Sequence, residues 1–296
     1  MTSANRRSVG ILEVASADPL RVALWDFFKQ RLRELGWTEG QDVNFEFRWA
    51  DGHEERLPEA AAELIRGSAD VLVTTGTAGA DAASRATSAL PIVMATGTAP
   101  ETPRANVAGV IDLPPGLSAM RLELLSQAVP NASRFGLLTD RANSSSPRAV
   151  AETQAAARAL GLVVKDYWIQ GADHFGDALL SMKQDGMGGF VISPGAMFFA
   201  RRKHLAALAV EHGLPSMSVR KEYAEAGSLM CYGAPIRDNY RRAAGYVDRI
   251  LRGAKPAELP VDGPTEFDFV INLKTAQTLG LTVPASLLGR AETIGL

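Results

Sequence analysis

The chain has 296 residues, 46% of them hydrophobic, with 31 basic against 33 acidic side chains. These proportions exclude a disordered tail, a collagen and a disulfide-stapled miniprotein. A formal charge of −2 argues against a broad nucleic-acid surface, which needs clustered positive charge to release counterions, and at about 100 to 200 residues per domain the length predicts two domains.

Short β-branched runs alternate with longer stretches of helical apolar spacing, the pattern of a parallel α/β architecture. The run 8–14 reads as a buried strand, followed by a helix over 20–35 with Leu24, Phe27, Phe28, Leu32 and Leu35 on one face and Gly36 as its stop. A strand over 43–49, a helix over 54–66 and a strand over 70–74 come next, the last feeding a helix through Thr75-Gly76-Thr77. Strands over 91–95 and 107–111 complete a first sheet. The second half repeats the scheme: strand 134–138, helix 147–160, strand 162–169, helix 174–184, strand 189–192, helix 197–212 and strand 215–218. Corresponding strands are offset by about 120 residues, which fits two similar βαβ lobes better than one wide sheet. Leu113-Pro114-Pro115-Gly116 and Cys231-Tyr232-Gly233-Ala234-Pro235 interrupt both periodicities and are hinge candidates. Beyond them lie a helix over 240–251, a Pro-rich connector over 255–264, a strand over 267–273 and a helix over 274–279.

The expected fold is therefore α/β, two doubly wound parallel-sheet lobes joined by a hinge. Lobe one takes 8–113 plus about 234–262, and lobe two takes 114–233, with 263–296 placed there although the pattern itself does not choose between lobes. No apolar run approaches the roughly 20 residues of a membrane helix, and the first residues lack the apolar core of a secretory signal. The chain as it stands reads as a soluble mature form or a cytoplasmic one.

In open parallel sheets ligands bind outside the carboxyl ends of the strands. That rule selects the loops carrying Ser16 and Asp18, Gly76 and Thr77, Thr96 and Gly97, Asp140, Asn143 and Ser144, Ser193, and Ser218. Hydroxyls and glycines at such places expose neutral donors and backbone N–H groups, suited to a small polar ligand such as a carboxylate. Taken singly, each loop hydroxyl is more simply a helix cap; the functional signal is that six such loops converge on one cleft if the lobes face each other. Phe198 and Tyr232 are among the aromatics placed to stack on a planar ligand group. Catalytic templates fail: there is no G-x-G-x-x-G, Walker loop or G-x-S-x-G elbow, and His53-Glu54 is followed by Leu57 where a zinc helix needs histidine. His204 and His212 have no third ligand. A single cysteine, Cys231, permits no internal disulfide and no Cys-based zinc cluster, and without a local base it is a buried hydrophobe. No metal, cofactor or catalytic residue is expected.

Several longer segments carry a resemblance. Arg33-Glu34-Leu35-Gly36-Trp37-Thr38-Glu39-Gly40-Gln41, Phe45-Glu46-Phe47-Arg48-Trp49-Ala50, Tyr246-Val247-Asp248-Arg249-Ile250-Leu251-Arg252-Gly253-Ala254-Lys255-Pro256 and Phe269-Val270-Ile271-Asn272-Leu273-Lys274-Thr275-Ala276 closely resemble ABC-transporter substrate-binding proteins of the tryptophan/tyrosine-binding type, over about residues 8–291. The resemblance implies a type I periplasmic-binding-protein-like fold with two lobes that clamp a ligand and deliver it to an ABC transporter permease. It also implies that Asn143 matches the asparagine after the first strand of lobe two, that Ser193-Pro194 with Phe198-Phe199 matches an Asp-Pro and paired-aromatic segment, that Glu222 matches an acidic residue, and that Tyr232-Gly233 matches the hinge. Three departures stand out. The first strand begins almost at once, where relatives carry an export signal or a lipoprotein cysteine; 99–106 replaces a Gly-rich insertion; and Ser193 and Cys231 stand where Asp and Ser are common.

The function expected is capture of a small organic ligand, an amino acid of aromatic or branched type or a related carboxylate, between the lobes of a periplasmic, monomeric protein that binds no nucleic acid. Asn143, Ser193 and Glu222 from lobe two and Ser16, Thr77 and Thr96 from lobe one are its leading contacts, Glu222 pairing with a ligand ammonium. The alternatives are a cytoplasmic ligand sensor, or an isomerase or lyase using Asp18, Glu222 or Cys231 in the same cleft.

Overall fold

The computed structural model describes residues 6–100 and 104–295 and divides into two compact units. Unit 1 takes the chain through Pro114 together with Ile236–Thr265; unit 2 takes Pro115–Pro235 and the chain from Glu266 onward. Residues 101–103, within the segment read as replacing a Gly-rich insertion, lie outside the described residues.

Unit 1 is built on strands β1 (Arg7–Glu13), β2 (Val43–Trp49), β3 (Val71–Thr74), β4 (Ile92–Met94), β5 (Val107–Val110) and, from the returning chain, β11 (Val261–Asp262). They lie in the order β11-β5-β4-β3-β1-β2, every pair parallel. Strand residues alternate between two cores because successive side chains leave opposite faces. Val9, Ile11, Val71, Val73 and Val93 meet Leu24, Trp25 and Phe28 of α1 (Pro19–Glu34) and Tyr240 and Val247 of α10 (Ile236–Leu251). Leu12, Leu72, Ile92 and Met94 meet Leu57, Ala61 and Leu64 of α2 (Leu57–Arg66) and Ala83 of α3 (Gly76–Ala86). Each large apolar side chain so buried contributes about 1.5–3 kcal/mol, and helices on both faces make the strands apolar throughout.

Unit 2 repeats the order and adds to it. Its strands β6 (Arg134–Asp140), β7 (Val163–Ile169), β8 (Phe190–Ile192), β9 (Ser216–Ser218), β10 (Met230–Gly233), β12 (Asp268–Asn272) and β13 (Glu292–Ile294) run β13-β12-β10-β9-β8-β6-β7. Its helices are α4 (Leu117–Ala128), α5 (Ser146–Leu160), α6 (Phe175–Gln184), α7 (Ala196–Ala200), α8 (Arg202–Glu211), α9 (Lys221–Glu225), α11 (Leu273–Thr278) and α12 (Ala285–Leu288). On one face Leu122 and Leu125 of α4 and Ala156 of α5 pack with Leu137, Val191, Met217 and Met230.

The architecture is the expected α/β one, with local corrections. The second sheet is not wholly parallel: β12 runs antiparallel to β10, pairing Cys231 with Val270 and Tyr232 with Phe269. Residues 231–233, read as part of a hinge, therefore belong to a strand. The helix expected over 54–66 opens with a 3-10 turn, Glu54–Arg56, before α2, in keeping with Pro58, which lacks an N–H and suits a first helical turn. The helix expected over 197–212 is two, α7 and α8, broken at Arg201, whose φ and ψ are −103° and 16°. Among the described residues no helix is long and apolar enough to cross a membrane.

Candidate ligand-binding site

In unit 1 the carboxyl ends of the strands are tied together by their own side chains. Glu13 closes β1 and is 1% exposed. Its carboxylate accepts from Trp25 Nε1 at 3.0 Å, Thr75 Oγ1 at 2.6 Å and the Ala15 amide at 3.1 Å, which makes burial of the charge tolerable. The next loops are joined in the same way. Thr96 Oγ1 accepts from the Gly76 amide at 2.9 Å, Thr77 and Thr98 share a hydroxyl contact of 3.0 Å, and the Gly97 amide donates to Asp112 Oδ1 at 2.6 Å. Gly97 has φ of +123°, and a Cβ there would lie 2.9 Å from the Thr77 amide nitrogen, so only glycine lets these two loops approach. Gly76, Thr77, Thr96 and Gly97 are thus brought together. Asp18 caps α1, accepting from the amides of Leu20 and Arg21 at 2.9 and 3.0 Å, while Ser16 is exposed two residues before it.

In unit 2 the loop after β6 is joined to the loop after β8. Asn143 Nδ2 donates to the Pro194 carbonyl at 2.8 Å, and its Oδ1 accepts from the Ser145 amide at 2.9 Å. Asp140 is buried, its Oδ1 accepting from the Ala142 amide at 3.0 Å, and burial pushes its carboxyl pKa up despite that hydrogen bond. Ser144, beside it, is exposed. Ser193 follows β8 directly; it is 1% exposed and its Oγ has no hydrogen-bond partner among the described residues. Thr74 Oγ1, at the end of β3 in unit 1, has none either. A buried hydroxyl left unpaired costs about 1–3 kcal/mol, so both positions call for an explanation.

Other expected contacts are already committed to the fold. The Phe198 ring is wholly buried and stacks on Phe175 at 5.9 Å, so it packs within the core of unit 2. Ser218 is buried and donates to the Met230 carbonyl at 2.9 Å. Tyr232 is half-buried and stacked on Phe267 at 5.4 Å. Glu222, in the first turn of α9, lies close enough to Asp268 to act on it electrostatically. Burial raises the Asp268 pKa first, and Glu222, Glu292 and Glu225 add to the rise against the opposing pull of Lys221.

The loops selected by the carboxyl-end rule include Thr74, Thr75 and Thr98, none of them a leading contact; Glu13 and Asp112 were missed. Glu13 left a signal, an acid inside an otherwise apolar strand; Asp112 left none, because its partner is set by loop packing. Among the described residues no group of three or more His, Cys, Asp or Glu side chains could hold a metal ion.

Two mainly parallel sheets, each covered by helices and each presenting polar loops at its carboxyl ends, define the type I periplasmic-binding-protein class of fold. The chain belongs to the ABC transporter substrate binding protein family, whose model matches residues 8–294. It is similar to a curated tyrosine-binding protein of Clostridioides difficile (strain R20291), 22% identical over 291 residues that span 94% of this chain and 82% of that protein. Among solved structures it is similar to an ABC domain from Streptococcus pneumonia in complex with L-Trp, with 24% identity, TM-score 0.87 and coverage of 97% of this chain and 99% of that one. A conserved domain protein from Vibrio cholerae is similar at 22% identity and TM-score 0.89, with the same coverage of 97% and 99%. Family members are solute-binding proteins that work with ABC transporter permeases, and this chain is a solute-binding protein for a small organic ligand.

Proposed function

We propose that this chain binds one small organic solute, of the size of an aromatic amino acid, through its carboxyl-end loops, and hands it unchanged to an ABC transporter permease. The observation that carries the reading is the concentration of neutral polar groups at those loops: Thr74, Thr77 and Thr96 in unit 1, Ser193 in unit 2. Ser16, Asp18, Gly76, Gly97, Asp140, Asn143, Ser144, Glu222 and Tyr232 complete the proposed ligand-facing set. The L-Trp held by the Streptococcus pneumonia domain and the tyrosine named for the Clostridioides difficile protein set the size class. Work outside the cytoplasm as a monomer, without catalysis and without nucleic acid, belongs to the same proposal. Cys231 supports the absence of a nucleophile, since it is wholly buried and burial pushes its thiol pKa far up.

A thermal-shift screen over aromatic and branched amino acids and simple aromatic acids tests the proposal. A ligand at 100 times its dissociation constant adds about 2.7 kcal/mol of stability, and mass spectrometry of the released compound reads whether it is unchanged. A set of compounds in which none stabilises the protein, or in which the stabilising compound is converted, overturns the reading.

A further inference from the structure

We propose that Ser193 Oγ is the ligand-directed hydroxyl of unit 2, and that it donates to a carboxylate oxygen, so that the solute is selected as an organic acid whether or not it also carries an ammonium group. The inference rests on the solute-binding function proposed above and narrows its ligand class.

The repeat of strand order between the units locates the residue. β3 lies beside β1 in unit 1 as β8 lies beside β6 in unit 2. The Thr75 amide donates to the Leu12 carbonyl at 3.3 Å, and the Ser193 amide donates to the Leu138 carbonyl at 3.0 Å. Thr75 and Ser193 therefore hold matching positions, each the first residue past its strand, and Glu13 in unit 1 corresponds to Thr139 in unit 2. The Thr75 hydroxyl is committed to the Glu13 carboxylate at 2.6 Å. Unit 2 has no acid at the matching place: Thr139 is wholly buried and its hydroxyl reaches only toward the Leu137 carbonyl, at 3.5 Å. The exchange of Glu for Thr removes the internal acceptor and leaves the Ser193 hydroxyl, buried in its loop, with no partner among the described residues. A ligand carboxylate restores in unit 2 the hydroxyl-to-carboxylate bond that unit 1 makes within itself.

The loop that carries Ser193 is fixed by its neighbours. Asn143 is held on both sides of its amide, by Pro194 and by Ser145, which makes it the positioning residue for the Ser193 loop. Gly195 follows closely enough that a Cβ would stand 3.1 Å from the Phe198 ring and 3.5 Å from Asn143 Nδ2. The elements leaving this end of the sheet carry Arg202 and Arg220, whose guanidinium groups stand 5.1 and 5.8 Å from the Phe199 ring centre, and Arg141, which stands over Trp168 at 5.7 Å. The same elements carry the acids Asp140, buried and accepting from the Ala142 amide, and Glu222, which acts electrostatically on Asp268. A hydroxyl donating to a carboxylate is a charge-assisted bond, about twice as strong as its neutral counterpart.

Isothermal titration of the full chain with matched probes tests the assignment: tryptophan, indolepropionate and tryptamine; phenylalanine, phenylpropionate and phenethylamine; and benzoate. The expected result is binding of one or more acids with or without the amino group, and none of the amines. Ser193→Ala should weaken the bound acid about tenfold or more, Ser193→Asp should abolish its binding, and Ser193→Thr, which keeps the hydroxyl, should retain it, with unfolding curves confirming that each variant is folded. The proposal is overturned by an acid that binds Ser193→Ala as tightly as the parent protein, or by binding that requires the ammonium. Should a neutral or cationic solute from a wider screen bind while every acid fails, the carboxylate assignment falls and the solute-binding function stands. Should no solute of any class bind, both fall.

Discussion

Trp25 Nε1 donates to Glu13 Oε2 across 3.0 Å, joining the helix after β1 to the last residue of β1 itself. The bond does two things at once. It gives a buried indole its polar partner and gives a buried carboxylate one of its donors, beside Thr75 and the Ala15 amide. Glu13→Ala leaves Trp25, Thr75 and Ala15 without that acceptor, so a loss of about 3 kcal/mol is expected in urea denaturation, because unpaired buried donors cost more than the bond itself contributes. Glu13→Gln keeps an acceptor oxygen and should lose about half as much. Equal losses in the two variants would show that charge, rather than hydrogen bonding, holds the network.

Gly109 and Gly245 make a paired prediction of opposite sign. Gly109, in β5, has φ of +128°, and a Cβ there would lie 2.3 Å from the Met94 carbonyl oxygen. Gly109→Ala must move the adjoining strand and should cost more than about 3 kcal/mol. Gly245 lies within α10, with open space around its Cβ direction. Gly245→Ala should stabilise the protein by about 0.5–1 kcal/mol. Thermal and urea unfolding of the two variants reads both signs.

The difference between those glycines also shows which features were legible in the sequence. Strands whose two faces are buried, such as β1 and β3, stood out as continuous apolar runs, and α1 announced itself through the spacing of Leu24, Phe28 and Leu32 and through Gly36. α4 passed unread because Leu117, Leu122, Leu124 and Leu125 are all buried, together with Arg121; a helix covered over so broad an arc has little amphipathic contrast. β10 was obscured by Cys231-Tyr232-Gly233, whose glycine and following Pro235 imitate a linker. At the candidate site, the carboxyl-end rule found the loops but not the division of labour within them. Ser218 and Ser193 look alike in the sequence, yet Ser218 has the Met230 carbonyl as acceptor and Ser193 has none among the described residues. That distinction depends on which strand lies alongside, which a single chain does not display.

Two carboxylates should shift stability with pH in opposite directions. Hydrogen bonds from Lys165 and then Tyr167, at 2.5 Å each, hold the Asp185 carboxyl below its usual range. Its stabilising contribution is therefore complete above the unfolded-state value and lost as pH falls through the folded-state value. Asp185→Asn should consequently flatten the acid limb of the stability curve, below about pH 4. A curve unchanged over that limb would remove Asp185 from the account.

Asp140 carries the reverse sign. Burial raises its folded-state pKa, so its contribution is complete below the unfolded-state value and declines as pH rises through the folded-state value. Asp140→Asn retains an oxygen for the Ala142 amide and cannot ionise. The variant should gain on the parent protein as pH rises from the acid range to neutrality, in unfolding curves taken at matched pH values. A gain that is constant across that range would mean that the effect is packing rather than ionisation.

Cys231 offers a readout that joins the core to ligand binding. It is wholly buried in β10, packed with Ala224 and Val270, and burial holds its thiol in the neutral form, which does not attack disulfides. A thiol-reactive aromatic disulfide should leave the native protein unlabelled on the timescale of minutes and label it stoichiometrically after unfolding. Slow labelling under native conditions then reports opening of the structure around β10. A stabilising solute at 100 times its dissociation constant should slow that labelling about a hundredfold if the opening is global, because the solute binds only the native state. Slowing far short of that would place the opening within unit 2, local to β10 and β12, and independent of the ligand.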